Sequence, residues 1–181
     1  TGAVSFMNRF SNTTREVAQE GRRGALMISM DINHPDIEDF ITSKDDLTKI
    51  TGANISVKIT DKFMQSVEES INNNHNTSWL QLWNKLIHQA WKSAEPGVLF
   101  WDKIIKESPA DCYEGFKTIS TNPCSELPLC AYDSCRLSAI NLYAYVLNPF
   151  TEYSGFDLNQ LASDVILAQR LMDDIIDLEA E

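Results

Sequence analysis

Basic residues are scarce in this sequence, and their scarcity limits the partners that the chain can bind. Its 181 residues include 15 Lys and Arg against 26 Asp and Glu, which gives a formal net charge of −11. A surface with this charge repels phosphate backbones and anionic lipid head groups. We therefore expect neither a nucleic-acid partner nor a membrane partner.

Long apolar runs and closely paired cysteines are also missing. No apolar stretch approaches the ~20 residues that a membrane-spanning helix needs. The four cysteines, Cys112, Cys124, Cys130 and Cys135, are separated by 12, 6 and 5 positions, so none has the short paired spacing of a zinc site. The three histidines do not cluster with one another, and no metal site is predicted. Four cysteines do not make a disulfide scaffold in a chain of this length, so we expect a cytoplasmic protein with reduced thiols.

The apolar pattern predicts strands that alternate with helices. The apolar run 25–32 and the alternation of Ile55, Val57 and Ile59 indicate two buried strands, each followed by a helix. A third short strand is predicted at 98–101 and another at 138–146. Strands that are each followed by a helix are typical of an α/β fold with parallel strands.

Helical spacing predicts the elements around these strands. Apolar residues over 4–17 indicate a first helix, which we expect Gly21 to end. A short helix should begin at Pro35, and Asp61 could cap the next one. Tryptophans recur at helical spacing over 79–91, which favours packing over ligand stacking.

The last predicted helix begins with Asp157 and Gln160, whose spacing resembles a capping box. Apolar residues follow at intervals of three and four positions, a stripe suited to packing against another helix.

The segment most suited to chemistry contains Asn122, Cys124 and Glu126 at alternate positions. In an extended segment, side chains two positions apart point the same way, so an amide, a thiol and a carboxylate would share one direction. Pro123 cannot donate a ladder hydrogen bond, which favours a free-standing extended loop. A second thiol, Cys135, follows eleven residues after Cys124.

Each of these residues also has a plain structural interpretation. A single cysteine is most often a small buried hydrophobe, and a single glutamate is usually a solvated surface charge. An asparagine before proline is often a turn residue. The three together on one face favour the functional interpretation. We interpret Cys112 and Cys130 as structural, and the pair Arg22 and Arg23 either as solvated side chains or as a contact for phosphate.

Several segments together resemble the catalytic subunit of ribonucleotide reductases. The matching segments are 22–25 (RRGA), 34–41 (HPDIEDFI), 54–57 (NISV), 60–64 (TDKFM), 122–129 (NPCSELPL) and 133–142 (DSCRLSAINL). They cover nearly the whole chain in the family's order. The sequences of these segments are most similar to those of the adenosylcobalamin-dependent class II enzymes, although some class I subunits have similar segments. Ser125 stands where class II enzymes usually have glycine.

The resemblance implies a fold and a set of roles. The fold would be part of a ten-stranded α/β barrel threaded by a finger loop, with 1–181 as a single partial barrel domain of a longer polypeptide. Cys124 would form a thiyl radical and remove the 3′ hydrogen of a ribonucleotide, and Glu126 would take the 3′-hydroxyl proton. Asn122 would hydrogen-bond a ribose hydroxyl. Cys135 would be one member of the dithiol that supplies two electrons, with its partner upstream of this chain.

The resemblance also implies cofactors and partners. These are adenosylcobalamin, or alternatively a radical from a metal-containing small subunit, together with a thioredoxin-like thiol reductant, a nucleotide effector and a second subunit of a homodimer. Whether the substrate is a diphosphate or a triphosphate stays open. Alternatives are another thiyl or glycyl-radical enzyme, or a folded piece without catalytic activity. We expect the 181-residue chain alone to be inactive.

Overall fold

The computed structural model describes residues 2–19 and 21–179. These residues fall into two compact units, Thr1–Asp133 and Ser134–Glu181. The single domain expected over 1–181 stays a prediction, and each unit is described by itself.

The first unit alternates helices and strands. Its helices are α1 (Ala3–Glu16), α2 (Ile37–Ile41), α3 (Asp61–Asn72), α4 (Ser78–Ser93) and α5 (Trp101–Glu107). Its strands are β1 (Ala18–Gln19), β2 (Arg22–Arg23), β3 (Met27–Asp31), β4 (Asn54–Ile59), β5 (Gly97–Phe100), β6 (Ser120–Thr121) and β7 (Pro128–Leu129). Short 3-10 turns at Pro109–Cys112 and Glu114–Phe116 precede β6.

The centre of the first unit is a three-stranded parallel sheet in the order β3-β4-β5. Val57 of β4 lies opposite both Met30 of β3 and Val98 of β5. The three strands and their parallel direction confirm the α/β prediction. Each connection between them contains helix, as parallel strands require.

The two faces of this sheet differ because side chains alternate along a strand. Ile55, Val57 and Ile59 of β4 are at most 1% exposed and belong to the hydrophobic core. Helices α2, α3 and α4 contribute the other side of that core through residues such as Phe40, Phe63 and Leu86. The opposite face of β4 is polar, with Asn54, Ser56 and Lys58.

Helix α3 begins one residue earlier than its sequence suggests. Thr60 is the N-cap, and its hydroxyl oxygen accepts a hydrogen bond from the backbone N–H of Phe63 at 3.2 Å. Asp61 is therefore the first helical residue instead of the cap, because the threonine hydroxyl already satisfies the free donor.

The packing interpretation of the tryptophans is confirmed for Trp83, which packs against the core, and only in part for Trp79, which is 41% exposed. Trp79 meets the ring of Phe63 edge-on with centroids 5.9 Å apart, and Trp83 lies 6.3 Å from the same ring. Trp91 differs, since it is 80% exposed and, among the aromatic rings of the described residues, lies close only to that of His88. The interpretation is wrong for Trp91.

Gly21 does not end the first helix. Helix α1 ends at Glu16, and the short strands β1 and β2 pair antiparallel beyond it. Gly21 has φ of +81° between these strands, so a residue without a Cβ suits the turn.

The second unit consists of a small ribbon and a long helix. Strands β8 (Val146–Leu147) and β9 (Gly155–Phe156) pair antiparallel, and helix α6 covers Leu158–Glu179. The Asp157 carboxylate accepts a hydrogen bond from the backbone N–H of Gln160 at 3.0 Å, which confirms Asp157 as a capping residue.

The strand predicted over 138–146 is wrong for all but its end. Residues Leu142–Tyr145 form a 3-10 turn, and only Val146 enters a strand. The side chain of Asn141 accepts a hydrogen bond from the N–H of Tyr143 at 3.1 Å. Such a local bond competes with strand pairing for the backbone donors.

Candidate functional site

Cys124 lies at the tip of a hairpin that β6 and β7 form. Ser120 pairs with Leu129 and Thr121 with Pro128 in an antiparallel register. Beyond these pairs, the N–H of Asn122 donates to the carbonyl of Leu127 at 3.2 Å. The six residues 122–127 therefore form the loop that presents Cys124.

The hairpin tip is a turn, and the extended conformation predicted for it is wrong. The N–H of Ser125 donates to the carbonyl of Asn122 at 3.0 Å, which closes a four-residue turn. Proline in the second position suits such a turn because its φ is already near the required value. Ser125 follows with φ of +71°, in the left-handed region that glycine adopts most easily. The glycine that the resemblance implies at this position would adopt this conformation without strain.

Asn122 is a buried member of the loop, with 7% exposure. Its Oδ1 atom accepts a hydrogen bond from the backbone N–H of Leu127 at 3.0 Å. The side chain therefore closes the loop on its inner side, which agrees with the turn-residue interpretation. Asn122 does not share the exposure of Cys124 and Glu126, so the predicted common direction of the three side chains is wrong for it.

Cys124 and Glu126 are both exposed. The thiol of Cys124 is free and lies outside the apolar core. Cys124 lines an open depression of about 280 Å³ together with Met27, Asn54 and Gly97, the first residues of β3, β4 and β5. The sheet edge and the hairpin tip thus bring a thiol and several polar groups to one concave surface.

Three contacts attach the hairpin to the polar face of the sheet. Lys58 Nζ donates to the carbonyl of Ile119 at 2.5 Å, at the base of the hairpin. The hydroxyls of Ser29 and Ser120 are 3.4 Å apart. Asn54 Nδ2 donates to the carbonyl of Pro123 at 2.7 Å, directly before Cys124. The hairpin therefore runs along the strands, with its tip at their N-terminal edge.

Comparison with known proteins gives this arrangement its family. A sequence profile of the ribonucleotide reductase barrel domain matches residues 1–80 and 69–181. The chain belongs to the ribonucleotide reductase barrel-domain family. The sheet of this unit and the hairpin on its polar face are consistent with an incomplete α/β barrel and its finger loop.

Two curated relatives are similar in sequence to nearly the whole of this chain. A vitamin B12-dependent ribonucleoside-diphosphate reductase of Thermoplasma acidophilum is 39% identical over 189 residues, which cover 98% of this chain and 24% of the relative. A protein of the same name from Mycobacterium tuberculosis is 32% identical over 98% of this chain and 26% of its own length. The chain thus spans about a quarter of the length of these relatives.

A solved structure shows the shared fold. The alpha subunit of the Actinobacillus ureae class Id ribonucleotide reductase superposes on 71% of this chain and 23% of that subunit, with a TM-score of 0.59 and 21% identity. The barrel fold predicted from the sequence is confirmed by this likeness and by the family profile.

Lys58 makes several interactions at the base of the hairpin that β6 and β7 form. Its Nζ atom lies 3.9 Å from the ring centroid of Trp101, in addition to its bond with Ile119. Burial lowers the pKa of Lys58, and the nearby charge of Asp31 opposes that shift. Trp101 and the carbonyl thus solvate an ammonium group that has lost part of its water.

Asp111 connects the 3-10 turns to the start of the hairpin. Its side chain is 8% exposed and accepts hydrogen bonds from the N–H of Thr118 at 3.1 Å and from the Thr118 hydroxyl. The hydrogen bond from the Thr118 hydroxyl is the largest cause of the lowered pKa of Asp111. Lys117 also donates to the backbone carbonyl of Asp111.

Sequence reasoning missed these supporting residues, although part of the signal is visible. In 54–59 the polar residues Asn54, Ser56 and Lys58 alternate with buried aliphatic residues. The polar face of such a strand is often solvated, but here Asn54 and Lys58 use it to bind the hairpin. Asp111 has no such signal because its partner Thr118 lies outside any regular element.

The remaining cysteines differ in their surroundings. Cys130 Sγ lies 3.6 Å from the Asp133 carboxylate, and burial followed by that charge raises the pKa of its thiol. Cys112 is exposed, and its thiol donates to the Pro109 carbonyl at 3.1 Å. Cys135 is half-buried in the second unit, and its redox role stays a prediction.

A larger cavity lies at the other end of the strands. It has a volume of about 450 Å³ and is lined by residues that follow β3, β4 and β5, including Asn33, Thr60 and Asp102. None of its lining residues comes from the hairpin, so it is separate from the depression at Cys124.

Within residues 2–19 and 21–179, no group of three or more His, Cys, Asp or Glu side chains is arranged to hold a metal ion. In that part of the chain, each helix is too short or too polar to cross a membrane.

Proposed function

We propose that the whole protein containing this chain is a ribonucleotide reductase, which converts ribonucleotides to deoxyribonucleotides by thiyl-radical chemistry. The observation that carries the proposal is the free, exposed thiol of Cys124 at the tip of the finger hairpin. Cys112 is also free and exposed, but its thiol bonds locally to Pro109, whereas Cys124 lines the open depression between the hairpin tip and the sheet edge.

The chemistry assigned to Cys124 is hydrogen-atom transfer. As a thiyl radical, its sulfur takes the 3′ hydrogen atom of the ribose, so an S–H bond forms and a C–H bond breaks. Glu126 takes the 3′-hydroxyl proton as general base, which its exposure on the same loop supports. The 2′ hydroxyl leaves as water, and Cys124 later returns the hydrogen atom to the 3′ carbon.

The electrons come from thiols. A dithiol that becomes a disulfide supplies two electrons and two protons, which balance the loss of water and the new C–H bond. We assign one of these thiols to Cys135. Its partner, expected upstream in the family, and a thioredoxin-like reductant complete the cycle.

The side-chain amide of Asn122 is only partly available to bind substrate. Its Oδ1 atom is already bonded to the N–H of Leu127, so only the Nδ2 group remains to donate to a ribose hydroxyl. We propose that Asn122 has two roles: its Oδ1 atom holds the loop, and its Nδ2 group contacts the sugar.

Adenosylcobalamin is the proposed cofactor because the curated relatives are named vitamin B12-dependent. When bound, this cofactor supplies the radical. The exposed thiol of Cys124 fits an external radical source, since it is reachable from solvent. No residue of this chain is assigned to hold the corrin. A metal-containing small subunit is the alternative source, and a nucleotide effector, a homodimer and a cytoplasmic location complete the proposal.

The test uses the whole protein with a ribonucleoside diphosphate or triphosphate, adenosylcobalamin and a dithiol reductant. The wild type should form deoxynucleotide, and Cys124→Ser should form none because a hydroxyl cannot relay the hydrogen atom. Cys112→Ser is the matched control, since this exposed thiol bonds only locally to Pro109. Equal single-turnover product from Cys124→Ser and the wild type would overturn the assignment.

A further inference from the structure

We propose that Asn54 is a positioning residue for Cys124, acting through the backbone of the hairpin turn. This inference rests on the proposed function of Cys124. Asn54 Nδ2 donates to the Pro123 carbonyl at 2.7 Å, and the two residues are 69 positions apart in the chain. The contacted carbonyl belongs to the peptide group that joins Pro123 to Cys124.

The peptide groups on both sides of Cys124 are held by hydrogen bonds. On the preceding side, Asn54 binds the Pro123 carbonyl. On the following side, the N–H of Ser125 donates to the Asn122 carbonyl at 3.0 Å. Because each peptide group is planar, holding both planes fixes the position of the Cys124 Cα and the direction of its Cα–Cβ bond, from which the thiol extends in one of its staggered rotamers.

The Asn122 bond lies within the turn, so it shapes the tip without locating it. Asn54 is the sheet side chain that bonds to the turn 122–125 among the described residues. Lys58 and Ser29 contact only the base of the hairpin, at Ile119 and Ser120. Asn54 therefore sets where the thiol stands relative to the sheet edge.

The backbone around Asn54 is itself fixed. Its N–H donates to the Leu26 carbonyl at 2.8 Å, which joins it to the segment before β3. The next N–H, that of Ile55, donates to Glu95 Oε1 at 2.9 Å. The other carboxylate oxygen of Glu95 pairs with Lys44 at 2.5 Å. The exposed side chain of Asn54 thus extends from a strand end whose backbone is held by hydrogen bonds, which supports a positioning group.

Hydrogen-atom transfer is sensitive to such positioning. Displacing a reacting group by about 1 Å can cost a hundredfold in rate. Asn54 also lines the depression at Cys124, but its Nδ2 donor is already bonded to the Pro123 carbonyl, so its loss should act on the catalytic step more than on affinity. We therefore expect kcat to fall at least tenfold in Asn54→Ala while KM changes by less than about twofold.

The experiment uses the whole protein with four changes: Asn54→Ala, Asn54→Asp, Asn54→Gln and the control Asn84→Ala. Aspartate keeps the shape but cannot donate, so it should lose as much kcat as alanine. Glutamine keeps the amide donor on a longer side chain and should retain part of the wild-type kcat. Asn84 is exposed on α4, away from the hairpin, and its removal should leave both kcat and KM unchanged.

A second readout is independent of turnover. Hydrogen–deuterium exchange of a peptide covering 118–130 should become at least tenfold faster in Asn54→Ala and Asn54→Asp, while a peptide covering β3 keeps its wild-type exchange. Wild-type kcat or wild-type exchange of 118–130 in Asn54→Asp would overturn the positioning role. Faster exchange of 118–130 in a protein whose wild type makes no deoxynucleotide would support Asn54 as an anchor of the turn and refute the reductase proposal instead.

Discussion

The Oδ1 atom of Asn122 accepts a hydrogen bond from the backbone N–H of Leu127, 3.0 Å away across the loop that carries Cys124. The Asn122 N–H also donates to the Leu127 carbonyl. Asn122 therefore closes the loop with two hydrogen bonds, one from its side chain and one from its backbone. The structure therefore supports the turn-residue interpretation of Asn122, and its contact with a ribose hydroxyl stays a prediction.

This double role predicts different effects for two substitutions of Asn122. Asn122→Ala leaves the Leu127 N–H without its acceptor, which should lower stability by about 1 kcal/mol and speed amide exchange over 118–130. Asn122→Asp keeps the acceptor, so exchange should stay near that of the wild type while KM rises through loss of the Nδ2 donor. Fast exchange in Asn122→Asp would show that the acceptor alone does not hold the loop.

Replacing Ser125 with glycine should increase the stability of the folded protein. The φ of Ser125, +71°, is strained for a residue with a Cβ, so Ser125→Gly should stabilise the folded protein by up to about 1 kcal/mol. The matched change Ser66→Gly, in the interior of α3, should destabilise by about 1 kcal/mol because helical glycine loses more entropy. Urea denaturation of both variants measures the two effects, and a shift of the same sign in both would contradict the prediction.

The lowered pKa of Asp111 predicts acid sensitivity. The folded state favours the ionised carboxylate, so its stabilising contribution is fully present above the ordinary value of 3.8 and is lost as the pH falls through the lowered pKa. Asp111→Asn should therefore be less stable than the wild type at neutral pH, and the difference should shrink in acid. Denaturation curves at several pH values test this, with Glu68→Gln on the exposed side of α3 as control. A difference that does not change with pH would show that ionisation of Asp111 is not the cause.

Cys135 should be needed for repeated turnover in the whole protein. Cys135→Ser should spare radical generation but block multiple turnovers, because one thiol of the electron-supplying pair is lost. Counting product molecules per protein with excess dithiol measures this, and Cys112→Ser serves as control. Many turnovers in Cys135→Ser would remove Cys135 from the redox pair.

The 181-residue chain by itself should be catalytically inactive. Its sheet has the order β3-β4-β5 in the described residues, so β3 and β5 are edges that a complete barrel would pair. The depression at Cys124 is open along this sheet edge, so it cannot shield substrate and cofactor from water. Incubation with nucleotide, adenosylcobalamin and dithiol should yield no deoxynucleotide, and product above a cofactor-free blank would refute this expectation.

The amino-acid sequence alone determined the secondary elements of the sheet and the identity of the central residue. Apolar patterning identified β3, β4 and β5 because alternation and short apolar runs depend on which side chains face a core. The motif around Cys124 identified the family because its residue types and order are carried by the chain itself.

Tertiary structure decided how the site is held. The turn at Pro123 and the bond of Asn122 to Leu127 have local partners, but the bond from Asn54 to the Pro123 carbonyl joins residues that are 69 positions apart. Local sequence cannot encode which side chain will stand opposite a given carbonyl after the strands have packed. Only the packed sheet brings Asn54 to the hairpin tip and so fixes where the thiol of Cys124 stands.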